Sequence, residues 1–243
     1  MIVEKLAGAK HFVSEIIHIS DIHIRLNTRH DEYRSVFSKL YKEIESSDKN
    51  SIIINTGDTL HAKITLSPEA VQLVTEFFTN LAKLRPLIVI PGNHDTLLNA
   101  KSRLDSITPI VEAIDSDNIY YLKKSKLYAY GDLLINNMSV FDLPDKYINC
   151  SDIPETIKRQ YNKTIAVYHG VVNGSKTPLG ETLSNALMPL SMFSGVNYAL
   201  LGDIHLPQTY SIDNTLIRYA VTVVQQNFGE PLTGHGYSKW NLS

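Results

Sequence analysis

The stretch Glu15-Ile16-Ile17-His18-Ile19-Ser20-Asp21-Ile22-His23 carries the pattern that decides how this chain folds. Its run of β-branched residues reads as a strand buried on both faces, and it ends on an aspartate and a histidine one residue apart. The same construction recurs downstream. Ser51–Asn55 leads to Gly57-Asp58, Leu87–Ile90 to Gly92-Asn93-His94-Asp95, and Thr164–Tyr168 to His169-Gly170. Tyr198–Leu201 leads to Gly202-Asp203-Ile204-His205. Residues at strand ends can converge rigidly on one edge of a sheet although they lie far apart in sequence.

Between these strands the period changes to that of helices. Tyr33, Val36, Phe37, Leu40, Tyr41 and Ile44 recur at three- and four-residue steps, which predicts a helix near 32–46. Ser67 and Pro68 supply an N-cap and a first-turn proline for a second helix, which Pro86 ends after Arg85. A third helix is expected near 103–114, before a short strand at 118–122. Past Lys123, short segments at 126–130, 133–135 and 139–141 predict antiparallel strands, and a hairpin over 208–220 turns at Asp213-Asn214. Alternating strands and helices place the chain in the α/β class. No repeat or Gly/Ser/Pro-rich linker divides it, so residues 1–243 read as a single domain.

Composition narrows the class further. A chain of 243 residues, 43% hydrophobic and 20% charged, can bury a substantial core and reads as soluble and globular. A net charge of −2 and a pI near 6.5 exclude a strongly basic surface over the whole chain, though not a local stripe that meets phosphates. Cys150 stands alone, so no disulfide framework exists, and its expected place is a small residue in a loop. The N-terminus breaks any signal-peptide core, and no apolar run approaches the ~20 residues that span a bilayer. An intracellular soluble protein without a membrane partner is expected.

The strand ends supply aspartate, histidine, aspartate, asparagine, histidine, aspartate and histidine. That is the donor set for two divalent cations about 4 Å apart, which deprotonate a water and clamp a phosphate. Taken alone, Gly57-Asp58 reads as a turn and His169 as a structural histidine; order and placement make them specific. The series D-x-H, G-D, G-N-H-D, lone H and G-D-x-H resembles the calcineurin-like metallophosphoesterase family from Ile16 to about Gly236. The resemblance implies a four-layer α-β-β-α sandwich with a dimetal site at one sheet edge. It implies Asp21, His23, Asp58 and His205 as ligands of one metal. Asp58, Asn93, His169 and Asp203 would hold the other, with Asp58 bridging. Manganese is the expected ion, with magnesium or iron(II) as alternatives. His94 would act toward the leaving oxygen, and Asp95 would orient its ring.

One departure stands out: Asp203 occupies a position where the family usually has histidine. Its hard oxygen favours manganese, magnesium or iron over softer metals. It also adds negative charge, which makes a bridging water less acidic.

His61, three residues after Asp58, gives the pattern G-D-x-x-H, similar to the double-strand-break repair nucleases of the SbcD and meiotic-recombination-eleven type. There this histidine seats the scissile phosphate. Phe228-Gly229-Glu230 resembles that group's F-G-E, whereas Tyr219-Ala220-Val221-Thr222 replaces its Y-P-G-S. Arg25 and Arg29 are candidates to contact a DNA backbone. Lys123, Lys124 and Lys126 read as solvated charge, and no aromatic stacking platform is evident. Apolar residues exceed one stripe on the helix near 67–84, so a homodimer through it and the 103–114 helix is expected. The group's capping domain and the segment that binds an ABC-type ATPase partner are read as absent. The reading is therefore a metal-dependent DNA exo- and endonuclease core. The alternatives on the same fold are a phosphodiesterase or phosphatase for small molecules or proteins, and a non-catalytic scaffold.

Overall fold

The structure, a computed structural model, describes residues 1–8, 12–100, 103–177, 179–184, 186, 188–230 and 232–242. In chain order the first elements are β1 (Val3–Lys5), β2 (Glu15–Ile19), α1 (His30–Glu45), β3 (Ser51–Asn55) and α2 (Pro68–Leu84). Then come β4 (Leu87–Val89), α3 (Thr108–Ile114), β5 (Ile119–Tyr121), β6 (Lys126–Tyr130), β7 (Leu133–Met138) and the single turn α4 (Glu155–Lys158). The last are β8 (Lys163–His169), β9 (Ser175–Lys176), β10 (Thr182–Leu183), β11 (Tyr198–Gly202), β12 (Thr209–Ile212), β13 (Thr215–Tyr219) and β14 (Ser238–Asn241).

These strands form a five-stranded sheet, β14-β2-β3-β4-β5, and a seven-stranded sheet, β1-β6-β7-β8-β11-β13-β12, with a small β9–β10 ribbon beside them. Strands β2 to β5 are mutually parallel, as are β7, β8, β11 and β13. Among the described residues, antiparallel pairing is confined to β14–β2, β6–β7, the ribbon and the β12–β13 hairpin, which turns at Asp213-Asn214 as expected.

Side chains alternate along the central strands, which explains their unbroken apolar runs. Ile17, Ile19, Ile53, Leu87 and Val89 face α1, α2 and α3. Ile16, Ile52, Ile54, Ile88 and Ile90 face the other sheet, meeting Ile135, Ile165, Val167 and Leu200. Each fully buried isoleucine contributes on the order of 2–3 kcal/mol. His18 lies in this second layer beside Thr56 and Trp240, and burial, with Arg218 nearby, lowers its pKa to about 3. The far face of the seven-stranded sheet packs under 3-10 turns and α4, so the fourth layer of the sandwich is thin.

Three local expectations change. Residues 139–141 form a turn, because Ser139 Oγ donates to the Lys123 carbonyl, accepts the Phe141 amide and draws the backbone out of the ladder. The helix expected from 103 begins at Thr108, where the Asp105 carboxylate accepts the Ile107 and Thr108 amides and fixes the start. The apolar excess on α2 is consumed internally: Leu73, Val74, Phe77, Phe78 and Leu81 are buried, and Phe77 stacks on Phe37 at 4.0 Å.

Candidate metal centre

Because β2, β3 and β4 are parallel to one another, and so are β8 and β11, the motif residues after them emerge on one rim. The loops remain zippered there: Asp21 N–H donates to the Gly57 carbonyl (3.0 Å) and His23 N–H to the Asp58 carbonyl (2.9 Å). Asp21, His23, Asp58 and Asp203 all have left-handed backbone, with φ of 54, 48, 54 and 94°. Non-glycine residues seldom adopt this region, and the clustering of such strain here marks a built site.

The glycines explain how the rim closes. A Cβ on Gly92 would stand 2.1 Å from Asp58 Oδ1, and one on Gly202 would stand 2.3 Å from Ser20 Oγ. Only glycine lets these backbones approach the neighbouring ligand loops so closely.

Asp21, His23 and His205 present ligand atoms within 4.8 Å of one another, as do Asp21, Asp58 and His169. His23 Nε2 and His205 Nε2 are 3.0 Å apart, each within 4 Å of Asp21 Oδ1. Asp58 Oδ2 lies between the groups, 3.6 Å from His23 Nε2 and 3.3 Å from His169 Nε2. On its far side, Asp203 Oδ1 is 3.7 Å from His169 Nε2 and accepts from Asn93 Nδ2 at 3.1 Å. All seven expected ligands are therefore gathered at one place.

The donor atoms suit cations. Among the described residues, Asn93 Oδ1 and His169 Nε2 are buried without a hydrogen-bond partner, whereas such atoms in a protein interior are normally paired. His169 Nδ1 donates to the Thr56 carbonyl at 2.7 Å, which turns Nε2 toward the carboxylates. Electrostatics agrees. Burial opposes charging His169, yet Asp58, Asp21 and Asp203 around it raise its pKa well above the ordinary value. Burial pushes Asp21 up to about 6, against the pull of His169 and His205. Burial likewise disfavours an ionised Asp58, but His169 and His23 outweigh it and hold this carboxyl below its usual range. The rim concentrates negative charge that positive charge must offset.

Beside the candidate ligands, His94 and His61 stack with ring centroids 5.5 Å apart on the wall of a cavity of about 210 Å3. Arg25, Gln226 and Asn227 complete this wall, and Arg25 Nη1 lies 3.4 Å from His61 Nε2. One expected role differs from the geometry. Asp95 does not hold the His94 ring: its carboxylate accepts the Leu60, Gly92 and Thr59 amides, while His94 Nδ1 bonds the His61 carbonyl at 2.7 Å. Buried backbone amides compete more strongly for this carboxylate than the ring does. Arg29 lies beyond the cavity, with Glu32 and the Gln225 carbonyl engaging its guanidinium.

Glu230 is the residue whose role sequence reasoning missed, although its F-G-E motif was in view. Its Oε1 sits 2.6 Å from His205 Nδ1, and its Oε2 accepts the Gln226 amide at 2.8 Å. Tyr219 also has a role that its altered loop concealed. Its hydroxyl donates to the Gly170 carbonyl and accepts the Val172 amide, which clamps the segment after His169.

Comparison with known proteins places this geometry. The chain is 40% identical over 237 residues, 95% of its length, to an uncharacterized protein of Acanthamoeba polyphaga mimivirus, and spans 17% of that protein. It is 25% identical to the SbcD component of the nuclease SbcCD from Staphylococcus saprophyticus, over 92% of this chain and 64% of that one. Among solved structures, a putative 5′-nucleotidase from Staphylococcus aureus shares the fold, with a TM-score of 0.54 at 13% identity. The match covers 94% of this chain and 54% of that one. No helix among the described residues is long and apolar enough to cross a membrane. Residues 14–207, which include every candidate ligand, match the calcineurin-like phosphoesterase family. The chain belongs to that family of metal-dependent phosphoester hydrolases.

Proposed function

We propose that this chain is a two-metal phosphodiesterase that cuts DNA, with manganese as its ion. The observation that carries this reading is the His61–His94 pair over the ligand cluster, in a chain similar to a bacterial nuclease component over 92% of its length. Asp21, His23 and His205 would hold one ion, Asn93, His169 and Asp203 the other, with Asp58 between them. When bound, such ions neutralise phosphate charge and acidify a water. Hard carboxylate and amide oxygens suit manganese.

The rest of the chemistry belongs to side chains. The His61 carbonyl can only accept, so His94 carries its proton on Nδ1 toward it and turns Nε2 to the cavity. A protonated Nε2 there gives its proton to the leaving oxygen. Burial, together with Arg25 and His94, holds the His61 pKa below its ordinary value. A neutral His61 ring accepts from Arg25 and keeps that guanidinium at the cavity wall, where it meets a phosphate oxygen. Asp95 acts at a distance by tying the loops after β3 and β4 together. The ATPase partner, the homodimer and the single-domain organisation belong to the same proposal.

Manganese-dependent cleavage of linear double-stranded DNA, beside a nitrophenyl phosphodiester, tests it with wild type, His94→Ala and His61→Ala. Loss of DNA cleavage in both variants with metal content retained supports the reading. Turnover of the small diester alone would favour a small-molecule phosphodiesterase on the same fold.

A further inference from the structure

The metal-centre cavity does not end at its wall. Arg25, Gln226 and Asn227 also line a second, larger cavity of about 590 Å3 that continues past Arg29 to Phe228. Phe228 stands fully out in solvent, with 106% of its reference exposure. The loop that carries it is nevertheless fixed. Arg25 donates to the Gln226 carbonyl (2.8 Å) and Arg29 to the Gln225 carbonyl (2.6 Å). Gln226 Nε2 donates to the Ile22 carbonyl, and Asn227 Nδ2 to Glu230 Oε1. An aromatic ring held in water by an ordered loop forgoes the burial that rings ordinarily obtain. Its free faces line the same groove as a guanidinium and amide side chains.

From this continuity we infer that Phe228 is a stacking platform for an unpaired nucleobase of the strand whose phosphate reaches the metal centre. This rests on the DNA reading above. A phosphate over Asp58 and His94, the next phosphate near Arg25 and a base on Phe228 follow the groove in order. Stacking on an aromatic face tolerates every base, so the site selects single-stranded over paired DNA rather than one sequence.

The test is equilibrium binding of fluorescein-labelled single-stranded oligothymidine in manganese, on a His94→Ala background so that binding is read without cleavage. Phe228→Ala should weaken binding by about 5- to 100-fold, the range for one lost base stack, and Phe228→Trp should restore it. An abasic residue at the stacked position should abolish the difference between the variants. Equal affinity for oligothymidine with and without the Phe228→Ala substitution would overturn the inference. Cleavage by the unsubstituted protein is scored separately. Binding through Phe228 without any cleavage would sustain the stacking site while removing the nuclease reading.

Discussion

Glu230 Oε1 lies 2.6 Å from His205 Nδ1, so a carboxylate carried by a late loop fixes the ring of a candidate ligand on the rim after β11. The pairing sets the tautomer and leaves His205 Nε2 facing Asp21 and His23. Burial opposes both charges, yet the contact raises the His205 pKa and lowers that of Glu230. Because Glu230 also gathers Gln226 and Asn227, one side chain ties the candidate ligand His205 to the cavity wall.

Glu230→Gln should therefore weaken manganese binding by about 10- to 100-fold with little loss of folded protein. Isothermal titration with manganese reads this directly. An unchanged dissociation constant would show that the hydrogen bond, and not the charge, is sufficient.

Asp203 stands where the family usually has histidine, and its carboxylate faces His169 and Asn93. Asp203→Ala should reduce bound manganese from two ions per chain toward one, as measured by elemental analysis after gel filtration. Asp203→His should move preference from manganese toward zinc or cobalt, because imidazole is the softer donor. Two manganese ions retained in the alanine variant would remove Asp203 from the ligand set.

Gly92→Ala would place a methyl group within 2.1 Å of Asp58 Oδ1 and 2.3 Å of the Asp58 amide nitrogen. Relief requires the β3 and β4 loops to separate, and a destabilisation of about 2–4 kcal/mol is expected. Urea unfolding gives the magnitude, and metal titration should show a parallel loss of affinity. A variant with wild-type stability and metal content would contradict the close packing of these loops.

His18 is buried between the sheets and its pKa is lowered to about 3, first by burial and then by Arg218. The unfolded chain binds a proton here near pH 6.5, whereas the folded chain does not. This contribution to stability is thus fully present above pH 6.5 and is lost as pH falls toward 3, at up to about 1.4 kcal/mol per pH unit. Comparing urea midpoints at pH 7 and pH 5 for wild type and His18→Gln isolates it. The variant should lose less stability on acidification; an equal loss would assign the acid sensitivity to other groups.

Much of this molecule was legible in one dimension. Strand runs such as Ile16–Ile19 and Ile52–Ile54 have a single low-energy home, a pleated strand buried on both faces, so their order predicted the layers. The candidate ligands were legible for the same reason, since each stands at the end of such a run or within a few residues of it. Ser67 capping α2 and Asp213-Asn214 turning the hairpin rest on contacts within a few residues. Neighbours along the chain determine those.

What the tertiary structure decided involves partners that the sequence holds far apart. The Asp95 carboxylate could have met His94 next to it, but unpaired amides at Leu60 and Thr59 took it, and the His61 carbonyl took the ring. Arg29 lies in the same loop after the motif as Arg25, yet of the two only Arg25 reaches the metal-centre cavity wall, while Glu32 one helical turn on captures Arg29. Glu230 reaches His205, and Phe228 reaches a groove, through a loop anchored on residues two hundred positions earlier. A buried polar group bonds whatever partner the packed backbone brings within about 3 Å, and that competition is settled only once the sheets have closed.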